Sequence, residues 1–209
     1  MPELVAAILV HSKAQLKKNL ETFAPLRWAQ IDVMDGRFVN NKTISASALK
    51  DITTSLNLEA HLMTFNPLKH AKQYAKYCKK IIFHYEACKT DQEIIDVINF
   101  CRQHRLKVGL AINPPTKIKK IQHFLPVLDL ILVMSIMPGF SGQRFRPSSI
   151  KKVKELRKLN KKIDIEVDGG VNFKNAKQLI KAGATHLVSR SAILKYPDIK
   201  TAKKEFKKI

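Results

Sequence analysis

The chain has 209 residues, of which 45% are hydrophobic, and it carries 38 lysines and arginines against 17 aspartates and glutamates, for a formal net charge of +21. This composition excludes a disordered chain and predicts one globular domain over residues 1–209. Because no apolar run approaches the roughly 20 residues of a membrane-spanning helix, and the opening segment 1–10 is too short for a signal peptide, we expect a cytoplasmic protein without a membrane partner.

Short apolar runs rich in β-branched residues alternate with amphipathic segments along the whole chain. In chain order, the pattern predicts strand 4–10, helix 13–23, strand 28–33, strand 58–62, helix 67–78, strand 80–84, helix 91–104, strand 106–112, helix 117–124, strand 128–134, helix 147–160, strand 163–167, helix 173–182, strand 185–189 and helix 198–208. This alternation predicts a parallel sheet, and about eight units favour a closed (β/α)8 barrel of the TIM type. An open doubly wound sheet would carry a glycine-rich turn after its first strand, where this chain has Val10-His11-Ser12.

The basic charge is spread over the solvated faces of the predicted helices. In segment 150–159, Ile150, Val153, Leu156 and Leu159 form an apolar stripe, and lysines occupy the opposite face. The chain lacks the combination of basic and aromatic side chains by which proteins bind single-stranded nucleic acid. We therefore expect no nucleic-acid partner, although the charge would attract an anionic small molecule.

Three polar residues fall at the carboxyl ends of predicted strands, where the active site of a barrel of parallel strands lies. Because side chains alternate along a strand, Asp32, His61 and Asp168 can all point to the inside of the barrel at one mouth. Taken singly, Asp32 could cap a loop, Asp168 could open a turn and His61 could be a core histidine. Buried carboxylates are costly unless they are paired or bind a metal, so the three together favour a functional site.

Several segments resemble the signature blocks of the ribulose-phosphate 3-epimerase family, in the order and spacing of that family and across nearly the whole chain. They are the segments 31–36 (IDVMDG), 61–63 (HLM), 134–143 (MSIMPGFSGQ) and 166–171 (EVDGGV), with shorter matches at 84–86 (HYE), 113–114 (NP) and 191–193 (SAI).

The resemblance implies an epimerase that interconverts D-ribulose 5-phosphate and D-xylulose 5-phosphate in the pentose phosphate pathway. Asp32 and Asp168 match the two aspartates that exchange the C3 proton from opposite faces of the substrate. A divalent metal (zinc, iron(II) or manganese) would be held by these aspartates and two histidines, of which His61 is one. The residues that match the family's substrate and phosphate sites are Met34, Met63, Met134, Gly139, Phe140, Ser141, Gly142, Gly169, Gly170, Arg190 and Ser191. The three methionines could equally be core residues that fill gaps.

The chain departs from the family pattern at five positions. Gln30 stands at the position of the other metal-binding histidine, so metal binding is expected to be weakened or absent, because an amide oxygen is a poorer ligand for zinc or iron than imidazole. Val10 stands for a serine at the end of the first strand, which would remove a hydroxyl near the substrate. Arg190 stands for a glycine of the last phosphate-binding turn, where it could bind the phosphate in a bidentate way or fill the site with its bulk. Arg37 and Met137 replace a histidine and an asparagine.

Three functions therefore stay open. The chain could be a ribulose-phosphate 3-epimerase, an epimerase for another keto-sugar phosphate such as allulose 6-phosphate, or a binding protein without turnover. Retention of both aspartates favours an enzyme, because a binding site has no evident need for two buried carboxylates. The resemblance also allows a homo-oligomer.

Overall fold

A computed structural model describes residues 2–140 and 142–209, and in it eight parallel strands close into a barrel in sequential order, with β8 paired to β1. The strands are β1 (Glu3–Ile8), β2 (Trp28–Met34), β3 (Asn57–Met63), β4 (Lys80–His84), β5 (Lys107–Ile112), β6 (Leu130–Met134), β7 (Asp164–Asp168) and β8 (His186–Ser189). The predicted (β/α)8 barrel is confirmed, and every strand lies within two residues of its predicted limits.

The described residues form six α-helices, of which the first five lie between strands and the last follows β8: α1 (Lys13–Phe23), α2 (Pro67–Tyr74), α3 (Asp91–Gln103), α4 (Ser148–Leu159), α5 (Phe173–Ala182) and α6 (Ile199–Phe206). All of these helices except α4 have a capping side chain at the amino end, for example Ser12, whose hydroxyl accepts from the Gln15 amide at 3.2 Å. Gly183 ends α5 with a φ of +114°, a conformation that favours glycine. Within the described residues, none of these helices has the length and apolar character needed to cross a membrane.

The predicted helix 117–124 is wrong. This segment forms two short 3-10 turns, Ile118–Lys120 and Gln122–Val127. The apolar side chains of Ile118, Ile121 and Phe124 recur every third residue, the period of a 3-10 helix. Pro126 lies inside the second turn, and a proline lacks the amide hydrogen that an α-helix would require there.

Side chains that point outward from the strands pack against the helices in one large apolar core, which contains for example Ile31, Leu62 and Val167. Side chains on the other face point into the barrel. Its β5–β6 side is filled with apolar residues such as Ala111, Leu130 and Leu132. The interior on the β2, β3, β4 and β7 side is polar, and its buried residues are Gln30, Asp32, Glu59, His61, Lys80, His84 and Glu166. This polar side positions the candidate site.

Candidate active site at the carboxyl ends of the strands

The carboxyl ends of the strands surround a cavity of about 800 Å³, as expected for a barrel of this type. It brings together nearly all the side chains and turns that the sequence pattern singled out. These are Asp32, Met34, Met63, Met134, Gly139, Phe140, Gly142, Asp168, Gly169, Gly170, Arg190 and Ser191. Gln30 and His61 are fully buried and lie in contact with the two aspartates. Ser141, predicted to bind phosphate, lies outside the described residues.

Asp32, His61 and Asp168 come from three strands and converge on one point. The Nδ1 atom of His61 lies 3.3 Å from Asp32 Oδ1 and 3.7 Å from Asp168 Oδ2. One donor atom from each of the three residues lies within 4.8 Å of the other two, so a single cation could contact all three. The register explains this convergence, because Asp32 pairs directly with His61 and Asp168 ends β7.

Gln30 connects the two carboxylates. Its Nε2 donates to Asp32 Oδ1 at 3.2 Å and to Asp168 Oδ2 at 3.0 Å. Its Oε1 is buried and accepts no hydrogen bond from the described residues, although a buried polar atom normally has a partner. Exchanging the two ends of the amide would place an oxygen beside both carboxylates. The residues present therefore fit a divalent cation with Gln30 as a fourth, weaker ligand.

Asp168 has the electrostatics expected of a proton carrier. Burial and the neighbouring charge of Asp32 raise its pKa to about 6, while His61 and the hydrogen bond from Gln30 oppose the rise. A carboxyl group that titrates near neutral pH can either accept or donate a proton under physiological conditions.

Two glycines after β7 shape the wall of the cavity. Gly169 has a φ of +106°, and a β-carbon there would lie 2.4 Å from the side chain of Ile136. Gly170 has a φ of +63°, and its β-carbon would lie 2.7 Å from the backbone nitrogen of Phe145. The Ser135 amide donates to the Asp168 carbonyl at 2.7 Å and holds this turn against β6. Only glycine therefore allows the backbone to follow this path next to the cavity.

Arg190 lines the cavity, but its guanidinium group turns toward the outside of the barrel. Nη1 donates to the Ala7 carbonyl at 3.3 Å and to Asn19 Oδ1 of α1 at 2.5 Å, and the guanidinium lies 5.9 Å from the centre of the Phe23 ring. The described contacts hold the group between β1 and α1.

The structure corrects the prediction about Val10. Val10 is buried in the apolar core behind β1 and does not border the cavity, so its side chain cannot replace a hydroxyl near the substrate. The residues of this part of the chain that line the cavity are Ala7 and Leu9. The prediction failed because β1 ends at Ile8, two residues before the predicted end.

The sequence interpretation also missed residues that border the site. Arg144 and Lys195 add two cations to the cavity wall, and Asn175 adds an amide. Arg144 lies in a loop, Lys195 in a 3-10 turn and Asn175 on α5. The alternation of side chains along a strand therefore cannot predict where these side chains point. The His84-Tyr85-Glu86 segment was noticed but given no role. Burial lowers the pKa of His84 to about 4, so this ring is neutral, and its Nε2 lies 2.9 Å from His61 Nε2.

Comparison with known proteins shows the family to which this sequence is similar. The family model described as the ribulose-phosphate 3 epimerase family matches residues 3–194. The chain is 38% identical to ribulose-phosphate 3-epimerase of Bacillus subtilis over 185 residues, which cover 85% of this chain and 84% of that protein. It is 36% identical to the Synechocystis protein of the same name over 178 residues, 82% of this chain and 77% of that protein.

Solved structures at lower identity share the fold. 3-Hexulose-6-phosphate synthase from Salmonella typhimurium superposes with a TM-score of 0.72 at 14% identity, over 99% of this chain and 97% of that one. Orotidine 5'-monophosphate decarboxylase from Methanocaldococcus jannaschii gives a TM-score of 0.67 at 16% identity, over 100% and 98% of the two chains. At these identities, the likeness shows the barrel fold alone.

Proposed function

Since the chain belongs to the ribulose-phosphate 3-epimerase family, we propose that it interconverts D-ribulose 5-phosphate and D-xylulose 5-phosphate by moving the proton on C3. The observation that carries this proposal is the pair of aspartates, which face one cavity and are joined by Gln30. Inversion at a carbon beside a carbonyl requires a base on one face of the substrate and an acid on the other. Asp32 and Asp168 supply these two groups.

In the proposed reaction, one aspartate removes the C3 proton and the other returns a proton to the opposite face. For each turnover, one carboxyl group must be ionised and the other protonated. With its pKa raised to about 6, Asp168 carries a proton in a minor fraction of molecules at neutral pH, and in that fraction its neighbour can accept one. The same pair then runs the reverse reaction with the two roles exchanged.

Asp32, His61 and Asp168 would hold a divalent metal, with the amide oxygen of Gln30 as the fourth donor. Such an ion would stabilise negative charge on the substrate oxygens when it is bound. Three oxygen donors and one imidazole suit manganese better, relative to zinc, than a set with two imidazoles does. We therefore propose that the preference of this site is shifted toward manganese.

The walls of the cavity would bind the rest of the substrate. Backbone amides at Gly139, Gly142 and the Gly169-Gly170 turn are suited to a phosphate group, and the cations Arg144 and Lys195 border the same cavity. Met34, Met63 and Met134 would pack against the planar intermediate and exclude water from it.

The test compares Asp32→Asn and Asp168→Asn with the unchanged protein. We expect each substitution to reduce turnover of D-ribulose 5-phosphate by a factor on the order of 100 or more, with the fold retained by circular dichroism. Asp96→Asn, the same substitution on an exposed position of α3, serves as the control. Full turnover in either active-site variant would contradict the two-aspartate assignment.

A second candidate, an epimerase for another keto-sugar phosphate such as allulose 6-phosphate, is favoured by the changed cavity wall, where Arg190 stands for a glycine and borders the cavity. Turnover and solvent deuterium exchange at C3, measured for five- and six-carbon keto-sugar phosphates, distinguish the two. Binding without exchange for every substrate and metal would instead indicate a binding protein.

A further inference from the structure

A continuous chain of hydrogen-bonding groups leads away from the two aspartates along the inside of the barrel. His61 Nε2 lies 2.9 Å from His84 Nε2, and His84 Nδ1 lies 3.3 Å from Glu86 Oε2. The ring centroids are 5.0 Å apart and the ring planes are inclined by 21°. With the nitrogens only 2.9 Å apart, this geometry places the two rings edge to edge. A hydrogen bond between the two Nε2 atoms therefore lies close to both ring planes.

Glu86, at the far end of this series of hydrogen bonds, is fixed by several donors. Glu86 Oε1 accepts the amide hydrogen of Asn113 at 2.9 Å and the hydroxyl of Thr116. Lys152 Nζ donates to the carbonyls of Asn113 and Thr116, at 2.8 and 2.5 Å, and fixes the turn that carries both donors. Hydrogen bonds from His84, Thr116 and Asn113 outweigh burial and hold the pKa of Glu86 below its usual value. Glu86 is thus a carboxylate that can only accept hydrogen bonds.

The direction of each hydrogen bond then follows from Glu86. Because the carboxylate accepts, Nδ1 of His84 must carry the hydrogen, and Nε2 of the neutral ring must accept. His61 must therefore donate from its own Nε2. In the neutral tautomer of His61 this leaves a lone pair on Nδ1, which faces oxygens of Asp32 at 3.3 Å and Asp168 at 3.7 Å.

We propose that Glu86 and His84 are positioning residues, which fix the tautomer of His61 so that its Nδ1 lone pair faces the two aspartates and can bind a divalent cation. With the opposite tautomer, Nδ1–H would donate to the carboxylates and close the site to a metal. This inference rests on the proposed function only in taking Asp32, His61 and Asp168 as the cation site. A histidine ligand is commonly oriented by a carboxylate or carbonyl that accepts from its other nitrogen, and here a second histidine lies between them.

Glu86→Gln tests the direction of the chain at constant shape. The glutamine oxygen can still accept from Asn113 and Thr116, but its amide then presents N–H groups to His84 Nδ1. The expected result is a reversal along the chain, with His84 donating to His61 Nε2 and His61 protonated at Nδ1. We expect a Co²⁺ affinity about 10- to 100-fold lower, measured by titration of the visible absorption bands of Co²⁺. Glu155→Gln, which removes an exposed carboxylate on α4, is the matched control and should leave the affinity unchanged.

Two further measurements distinguish an effect transmitted through the hydrogen bonds of His84 from a direct effect of the lost charge of Glu86. In a His84→Leu background, Glu86→Gln should lower the affinity no further, whereas a direct effect of the lost charge would persist. In the unchanged protein without metal, long-range proton–nitrogen NMR of the imidazoles should show His84 protonated at Nδ1 and His61 protonated at Nε2. His84 protonated at Nε2, or an unchanged Co²⁺ affinity in a folded Glu86→Gln variant, would overturn the proposal.

The same experiments distinguish this proposal from the proposed function. If the unchanged protein binds no Co²⁺, the cation site of the proposed function fails, and the NMR measurement still decides the tautomer. If Co²⁺ binds with the expected dependence on Glu86 but no epimerisation occurs, the positioning role of Glu86 and His84 is supported and the proposed reaction fails.

Discussion

Replacing Lys80 with methionine should destabilise the barrel strongly, because this lysine compensates two buried glutamates below the active site. Lys80 Nζ lies 2.6 Å from Glu59 Oε2 and 3.6 Å from Glu166 Oε2, and all three side chains are almost fully buried. Burial alone would lower the pKa of Lys80, but the two glutamates outweigh it and raise this pKa above its usual value. Burial and Glu59 also raise the pKa of Glu166 well above its usual value.

Methionine keeps the length of the side chain and removes only its charge and donors. Breaking a buried ion pair by removing one partner typically costs about 3–5 kcal/mol. We expect a loss of this size in the free energy of unfolding at pH 8. For a chain of about this length, 1 kcal/mol corresponds to about 2–4 °C, so the Tm should fall by about 6–20 °C.

The assay is urea unfolding followed by far-ultraviolet circular dichroism. Lys107→Met is the matched control, since Lys107 pairs with Lys80 in the register but is exposed, and it should change stability by no more than about 0.5 kcal/mol. The folded-state pKa of Glu166 is raised, so the free-energy cost of burying its ionised carboxylate grows as the pH rises through that pKa. The loss in Lys80→Met should therefore be smaller at pH 5 than at pH 8. A loss no larger than that of the control, at both pH values, would refute the reasoning.

Four other predictions concern the mouth of the barrel. Gln30→His should tighten Co²⁺ binding about tenfold or more, because imidazole is a better ligand than an amide; unchanged affinity would mean that residue 30 does not reach the metal. Arg190→Gly should lower stability by about 1–3 kcal/mol in urea unfolding, since its guanidinium hydrogen bonds are lost; an unchanged stability with a raised KM would instead place Arg190 on the substrate phosphate. Gly169→Ala should cost about 1–3 kcal/mol from backbone strain alone and more from the contact with Ile136, and it should reduce turnover. Because the pKa of Asp168 is raised from 3.8 to about 6 in the folded state, its contribution to stability is present at low pH and lost as the pH rises through 6. Asp168→Asn should therefore gain stability relative to the unchanged protein between pH 4 and 6, by up to about 1.4 kcal/mol per pH unit in urea unfolding.

The barrel could be predicted because its strands are short, apolar and regularly spaced, and because a parallel sheet brings all their carboxyl ends together. The same rule placed Asp32, His61 and Asp168 at one point, since each is the inward-facing polar residue near the end of its strand. The 3-10 turns of Ile118–Lys120 and Gln122–Val127 were missed because an apolar residue at every third position also fits one face of an α-helix.

Other features of the site depend on contacts between residues far apart in the chain. The direction of Arg190 is set by Asn19, 171 positions earlier. The link from Glu86 to His61 depends on the alignment of β3 with β4 and on a turn after β5. No spacing in the sequence records these distances. Cavity-lining residues in loops, such as Arg144 and Lys195, lack the alternation that identifies the inward face of a strand.

The polar interior has two levels, and the strands that build one also build the other. Glu59 and Glu166 precede His61 and Asp168 by two residues on β3 and β7, so each strand points one polar group toward the base of the barrel and one toward the mouth. At the lower level, Lys80 is hydrogen-bonded to Glu59 and lies 3.6 Å from the carboxylate of Glu166.

At the upper level, no lysine or arginine nitrogen among the described residues lies within 4 Å of the carboxylates of Asp32 and Asp168, whose side-chain partners are His61 and the neutral amide of Gln30. The protein therefore places a lysine between its buried carboxylates where the barrel is closed, and among the described residues it leaves an excess of negative charge without such a cation where the barrel is open. Such an excess can be relieved by a bound cation or by a proton shared between the aspartates. Each of these is a state that the proposed epimerase needs, so the same imbalance that weakens the fold at the mouth supplies its chemistry.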